Sequence, residues 1–202
     1  MDTTLLVPRR SLGRVGLLAC RRTRRSALAV ALLAILPVLF ATASESPSEP
    51  VDELKSAIVL SFLRYSEWPE PTPAGQPLTV GVIGRSSLLP VLRRTLEGKL
   101  VNSRPVRILE VKTLSDPHCC QVIYLATGKS AEIQQALATA RSAHALTIGE
   151  ADRFLEYGGA VNLILVDGRI SFEVSLDALG RSGVAISSKL LRYGQVKGRP
   201  PA

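Results

Sequence analysis

Residues 161–176 read VNLILVDGRISFEVSL, two apolar-rich runs joined by Asp167-Gly168. An Asp-Gly pair readily supplies the two positive-φ positions of a tight hairpin turn, whose twist matches that of antiparallel strands. Residues 161–166 and 169–175 are therefore expected to form a β-hairpin. Upstream the pattern changes. Residues 78–84 (LTVGVIG), 106–111, 121–125 (QVIYL) and 145–148 are short strand-like runs. Between them, 88–96 and 130–142 carry helical spacing, the second with Ile133 and Leu137 facing in. Strands alternating with helices, followed by a hairpin, predict a three-layer α/β sandwich. Its sheet is mainly parallel, with an antiparallel hairpin at the edge and helices flanking it.

Toward the amino end, 51–67 places Val51, Leu54, Ile58, Phe62 and Tyr65 at helical spacing, with Ala57 and Leu63 beside them. Asp52 and Glu53 suit the positive end of that helix. Trp68-Pro69 is expected to end it, because proline disfavours helix at the preceding residue. Pro71, Pro73, Gly75 and Pro77 make the next stretch a loop. Toward the carboxyl end, 151–157 reads as a helical turn closed by Gly158-Gly159. Helices are expected at 176–181 and 187–193, with a loose tail from Lys197.

The net charge of +8 suggests an anionic partner until it is mapped. Seven arginines precede residue 26 against one acid, Asp2, and the remainder carries 18 basic and 16 acidic residues. The charge therefore belongs to the amino end, and a nucleic-acid footprint is not expected. Residues 26–40 (SALAVALLAILPVLF) are uncharged and apolar, and Ala41-Thr42-Ala43 follows. Arginines, a short apolar stretch and a small-x-small ending form a secretory signal. Residues 1–43 are thus expected to be removed on export, leaving a flexible leader at 44–50, one domain at 51–197 and a tail at 198–202. An uncleaved membrane anchor of ~18 residues is the rival; Pro37 and the Ala-x-Ala ending favour cleavage. Arg9-Arg10 and Arg24-Arg25 leave a twin-arginine route open beside the general one.

Losing the signal removes Cys20 and leaves Cys119 and Cys120, neighbours that pair only through a strained ring. An unpaired or buried state, a vicinal or intermolecular disulfide with a redox role, and a borrowed metal shared with His118 all stay open. Gly128-Lys129-Ser130 lacks the earlier glycine of a phosphate-binding loop, since Ile123 stands there, and reads as a helix start with a Ser cap. Gly81-Val82-Ile83-Gly84 with Ser86-Ser87 reads as a tight turn and cap, with a small anionic ligand as the alternative. Glu150 and Asp152 fall where a helix is expected to begin, and its dipole accounts for them. No serine lies in a Gly-x-Ser-x-Gly elbow, and Asp116, two positions from His118, is too slight a basis for a triad, so neither an enzyme nor a cofactor is expected.

The segment 62–69 (FLRYSEWP) gathers Phe62, Tyr65 and the chain's one Trp. Trp68 suits either a core edge or a binding surface, where aromatics are enriched. This Phe-x-x-Tyr-x-x-Trp-Pro stretch, with GKLVNSRPVR at 98–107 and RISFEVSL and AISSKLLR at 169–176 and 185–192, resembles the YfiR family over about residues 52–196. The resemblance implies a secreted regulator, a dimer in its best-understood members. Such a protein binds the periplasmic sensor part of an inner-membrane diguanylate cyclase and represses cyclic-di-GMP synthesis and biofilm formation. An outer-membrane lipoprotein can sequester it. Candidate contact residues for a partner or ligand are Tyr65, Glu67, Trp68, Phe172, Glu173 and Arg192. The alternative function is a periplasmic receptor for a small aromatic or anionic ligand. Two departures stand out: Cys119 and Cys120 are adjacent where that branch is stapled by separated cysteines, and Ser175 replaces the family's Asn, a position from which Ser still caps a helix.

Overall fold

The computed structural model describes residues 49–69, 75–112 and 120–198. The expected signal at 1–43, most of the leader, His118, Cys119 and residues 199–202 lie outside them. The element order is α1 (Glu49–Tyr65), β1 (Ser66–Glu67), β2 (Leu78–Ile83), α2 (Leu88–Leu96), β3 (Leu100–Val101), β4 (Arg104–Val111), β5 (Val122–Leu125), α3 (Ser130–Ser142), β6 (Leu146–Gly149), β7 (Val161–Val166), β8 (Arg169–Ser175), α4 (Leu176–Ser182), β9 (Ala185–Ile186), α5 (Ser188–Leu191) and β10 (Gln195–Lys197).

The main sheet runs β10-β8-β7-β6-β5-β2-β4-β3. Its middle strands β4, β2, β5, β6 and β7 are parallel to one another, and β5 and β6 are buried along their whole length. That burial is why they read as unbroken apolar runs rather than alternating ones. Alternate side chains serve two cores. Val80, Val82, Tyr124, Leu146 and Ile148 pack with Val59, Phe62 and Leu63 of α1 and Leu92 of α2. Ile123 and Leu125 face the other way onto Ile133 and Leu137 of α3. The three-layer sandwich is the expected one.

The hairpin forms in the expected register, Val166 opposite Arg169, with φ of 49° at Asp167 and 74° at Gly168. It is not the edge, however: β10 adds in parallel outside β8, so Lys197 is strand rather than loose tail. The opposite edge is a second hairpin, within the GKLVNSRPVR stretch at 98–107. Asn102 and Ser103 take φ of 50° and 64°, and Leu100 and Val101 pair with Pro105 and Arg104.

Other expectations need correction. The first helix stops at Tyr65, before Trp68-Pro69, because Ser66 and Glu67 pair antiparallel with Ile186 and Ala185. Its inward face is also turned from the expected one. Asp52, Ser56, Val59, Phe62 and Leu63 are buried, while Val51, Leu54 and Tyr65 are 39 %, 48 % and 44 % exposed. Two polar residues can occupy the inner face because each is paired there: Asp52 with Lys55 at 3.6 Å, and Ser56 Oγ with Thr95 Oγ1 at 2.5 Å. Residues 151–157 form turns, not a helix. The Phe154 ring fills the space beside Gly149 and Gly159, where an added Cβ would stand 2.5 and 2.1 Å from ring carbons. The last expected helix is the single turn α5.

Candidate functional site

In the sheet, β4 lies on one side of β2 and β5 on the other. The chain thus reverses its winding direction at β2, and a crevice opens at the carboxyl ends of β2 and β5, the usual ligand position in such sheets. At that end Tyr124, wholly buried near the end of β5, donates its hydroxyl to Glu150 Oε1, just past β6. Lys55 of α1 donates to Glu150 Oε2 at 2.6 Å and lies 3.6 Å from the buried Asp52. Burial, and then the carboxylate of Glu150, raise the Tyr124 hydroxyl far above the ordinary tyrosine range, so it stays a neutral donor. Glu150 is therefore tied to its neighbours by named partners rather than by a helix dipole. Sequence reasoning missed this group because its members are 26 to 98 residues apart and Tyr124 is hidden in an apolar run, except for the i,i+3 pair Asp52 and Lys55.

The contact residues expected from the sequence divide into three places. Tyr65 closes α1 with its carbonyl accepting the Ser187 N–H at 2.8 Å. Glu67 is exposed opposite Ala185, and the Arg192 guanidinium lies 5.0 Å over the Tyr193 ring and donates to its hydroxyl at 3.0 Å. These lie where α1, β9 and α5 meet. Trp68 is half-buried against the main core, its Nε1 donating to the Gln121 carbonyl at 3.0 Å at the start of β5. Phe172 is 5 % exposed and meets Phe62 edge to face at 5.1 Å. Glu173, next along β8 and so on the opposite face, pairs with Lys197 at 3.0 Å.

Cys120 is buried in the α3-side core, its Sγ 2.7 Å from where a Cβ on Gly81 would stand. The sequence reading placed a Ser cap at Ser130, but Lys129 is the N-cap residue and makes no side-chain cap bond. Thr127 Oγ1 instead accepts the Lys129 N–H at 3.3 Å and donates to Glu132 at 2.8 Å. At α2, Ser86 rather than Ser87 caps, accepting the Leu88 N–H at 3.0 Å. Ser175 caps α4 through the Ala178 N–H at 3.2 Å, as expected.

This is a three-layer α/β domain with a polar group at its winding reversal and no helix, among the described residues, long and apolar enough to cross a membrane. The chain matches the family model described as YfiR/HmsC-like (DUF4154) over residues 52–195, and it belongs to that family. Its fold is also similar to the crystal structure of a conserved domain protein from Vibrio cholerae O1 biovar eltor str. N16961. The TM-score is 0.53 at 14 % identity, with 72 % of this chain covered. This chain spans 60 % of the length of that protein.

Proposed function

We propose that the chain is an exported regulator that binds the periplasmic sensor part of a membrane diguanylate cyclase and holds it off. The observation that carries this reading is the family match, which spans nearly the whole folded domain. The outer face of α1 supports it. Val51, Leu54 and Tyr65, with Ala57 exposed between them, make an apolar stripe on a helix whose other side already fills the core. Scattered apolar residues need no explanation, but a helical stripe of them suits a protein contact. Tyr65 is shared by that stripe and by the surface near Glu67 and Arg192. A homodimer and a sequestering outer-membrane lipoprotein are further parts of the same proposal, as is removal of the signal.

The test is cellular and direct. Loss of the protein should raise cyclic-di-GMP and biofilm formation, and the protein fixed in live cells should cross-link to a membrane protein carrying a cyclase domain. Unchanged cyclic-di-GMP together with no such cross-link would remove the reading.

A further inference from the structure

The loops that follow β2 and β5, at 84–87 and 126–128, line one cleft. Arg85, Ser86 and Ser87 follow β2; Ala126, Thr127 and Gly128 follow β5; Lys55, Glu150 and Ala151 complete the wall. The cleft encloses about 290 Å³, close to the ~300 Å³ at which small-ligand sites begin. Its loops are held backbone against backbone. Gly84 has φ of 96°, and a Cβ there would stand 2.5 Å from the Ala126 carbonyl oxygen, so the approach requires glycine.

The polar groups of this cleft leave a surplus of one kind. Both carboxylate oxygens of Glu150 are engaged, one by Tyr124 and one by Lys55. Thr127 is engaged by Glu132 and the Lys129 N–H. The Arg85 guanidinium has no ion-pair partner among the described residues, Ser87 makes no cap bond, and the Ser86 hydroxyl accepts from Leu88 while keeping its own proton to give. The unspent groups are therefore donors, one of them a planar cation that matches an oxyanion in two-point geometry.

We infer that the cleft at the carboxyl ends of β2 and β5 binds a small oxyanion, a carboxylate or a phosphate, on Arg85 with Ser86 and Ser87. Such a site gives the domain an input for a small metabolite at the opposite end of the parallel strands from Trp68. It does not rest on the partner reading, because binding is measured on the purified protein alone.

The experiment titrates the purified exported chain with inorganic phosphate and, separately, with succinate, by calorimetry and by amide chemical shifts. Saturable uptake of one ion per chain is expected for at least one of them, moving amides in 84–88 and 126–130. Preference for phosphate points to a phosphorylated ligand, and preference for succinate to an organic acid. Arg85→Ala should weaken the bound anion by about tenfold or more, and Arg85→Lys by less, with both variants melting as the parent does because Arg85 is exposed. Arg169→Ala, on the hairpin, should bind normally. No saturation by either anion, unchanged affinity in Arg85→Ala, or shifts confined to other loops would overturn the inference.

Discussion

The Trp68 indole N–H and the Leu146 N–H share the Gln121 carbonyl oxygen, at 3.0 and 2.9 Å. Gln121 also accepts the Thr79 N–H on its side-chain oxygen at 2.8 Å. The aromatic residue that ends the first motif is thereby fastened to the starts of β2, β5 and β6. Trp68→Phe, which loses the donor, should cost about 1 kcal/mol, and Trp68→Ala about 3 kcal/mol, by urea unfolding. An alanine variant as stable as the parent would move Trp68 back to the contact surface.

Tyr124 makes stability depend on alkaline pH. Its hydroxyl titrates higher in the folded chain than the ordinary value of 10.0, because burial and Glu150 disfavour the phenolate. The contribution is complete below pH 10.0 and declines above it, where the unfolded chain releases the proton first. That slope is at most about 1.4 kcal/mol per pH unit. Tyr124→Phe should flatten this part of the stability curve; an unchanged alkaline slope would show that Tyr124 does not supply it.

Phe154 and Gly159 should be strongly coupled. A methyl group at Gly159 runs into the Phe154 ring in a packed core, so Gly159→Ala should cost about 2–3 kcal/mol. Shortening the ring with Phe154→Leu in the same chain should make the glycine change cheaper, a non-additivity that a double-mutant cycle measures. Additive losses would mean that the ring is not what excludes a side chain at 159.

Ser175 is the N-cap residue of α4, and its Oγ takes the Ala178 N–H. Ser175→Ala should lose about 1 kcal/mol, and Ser175→Asn should keep most of the stability. Thermal melts of the two variants decide it. Equal losses would show that space at this buried position matters more than the cap.

On the outer face of α1, Leu54→Glu and Tyr65→Ala should each change stability by less than about 0.5 kcal/mol, as exposed positions do. Each should weaken binding of the proposed cyclase partner by about 2 kcal/mol or more if the stripe is the contact. Quantitative cross-linking in cells reads the second effect. Normal binding by both variants would take the partner off this face.

Local chemistry was legible in the chain itself. Asp167-Gly168 specified its hairpin because the turn's dihedrals are a property of two residues. The alternation of strand runs with helical spacing set the sandwich, and Ser175 announced the start of α4. The helical period of residues 51–65 was equally plain, yet which face it buried was not. Val51, Leu54 and Tyr65 satisfy the spacing of a core stripe, but Asp52 and Ser56 turned inward because distant Thr95 and neighbouring Lys55 gave them partners.

What the sequence by itself determined is the order and kind of most elements and the family to which they belong. Only the tertiary structure decided that Arg85 and Thr127 line one cleft, that Glu150 answers to Tyr124 and Lys55, and that Ser66-Glu67 leave the helix to pair with Ala185-Ile186. Turns, caps and periodicity depend on residues a few positions apart, whereas these contacts join segments tens of residues apart. Their partners are chosen when the sheet orders its strands, and no spacing along the chain encodes that order.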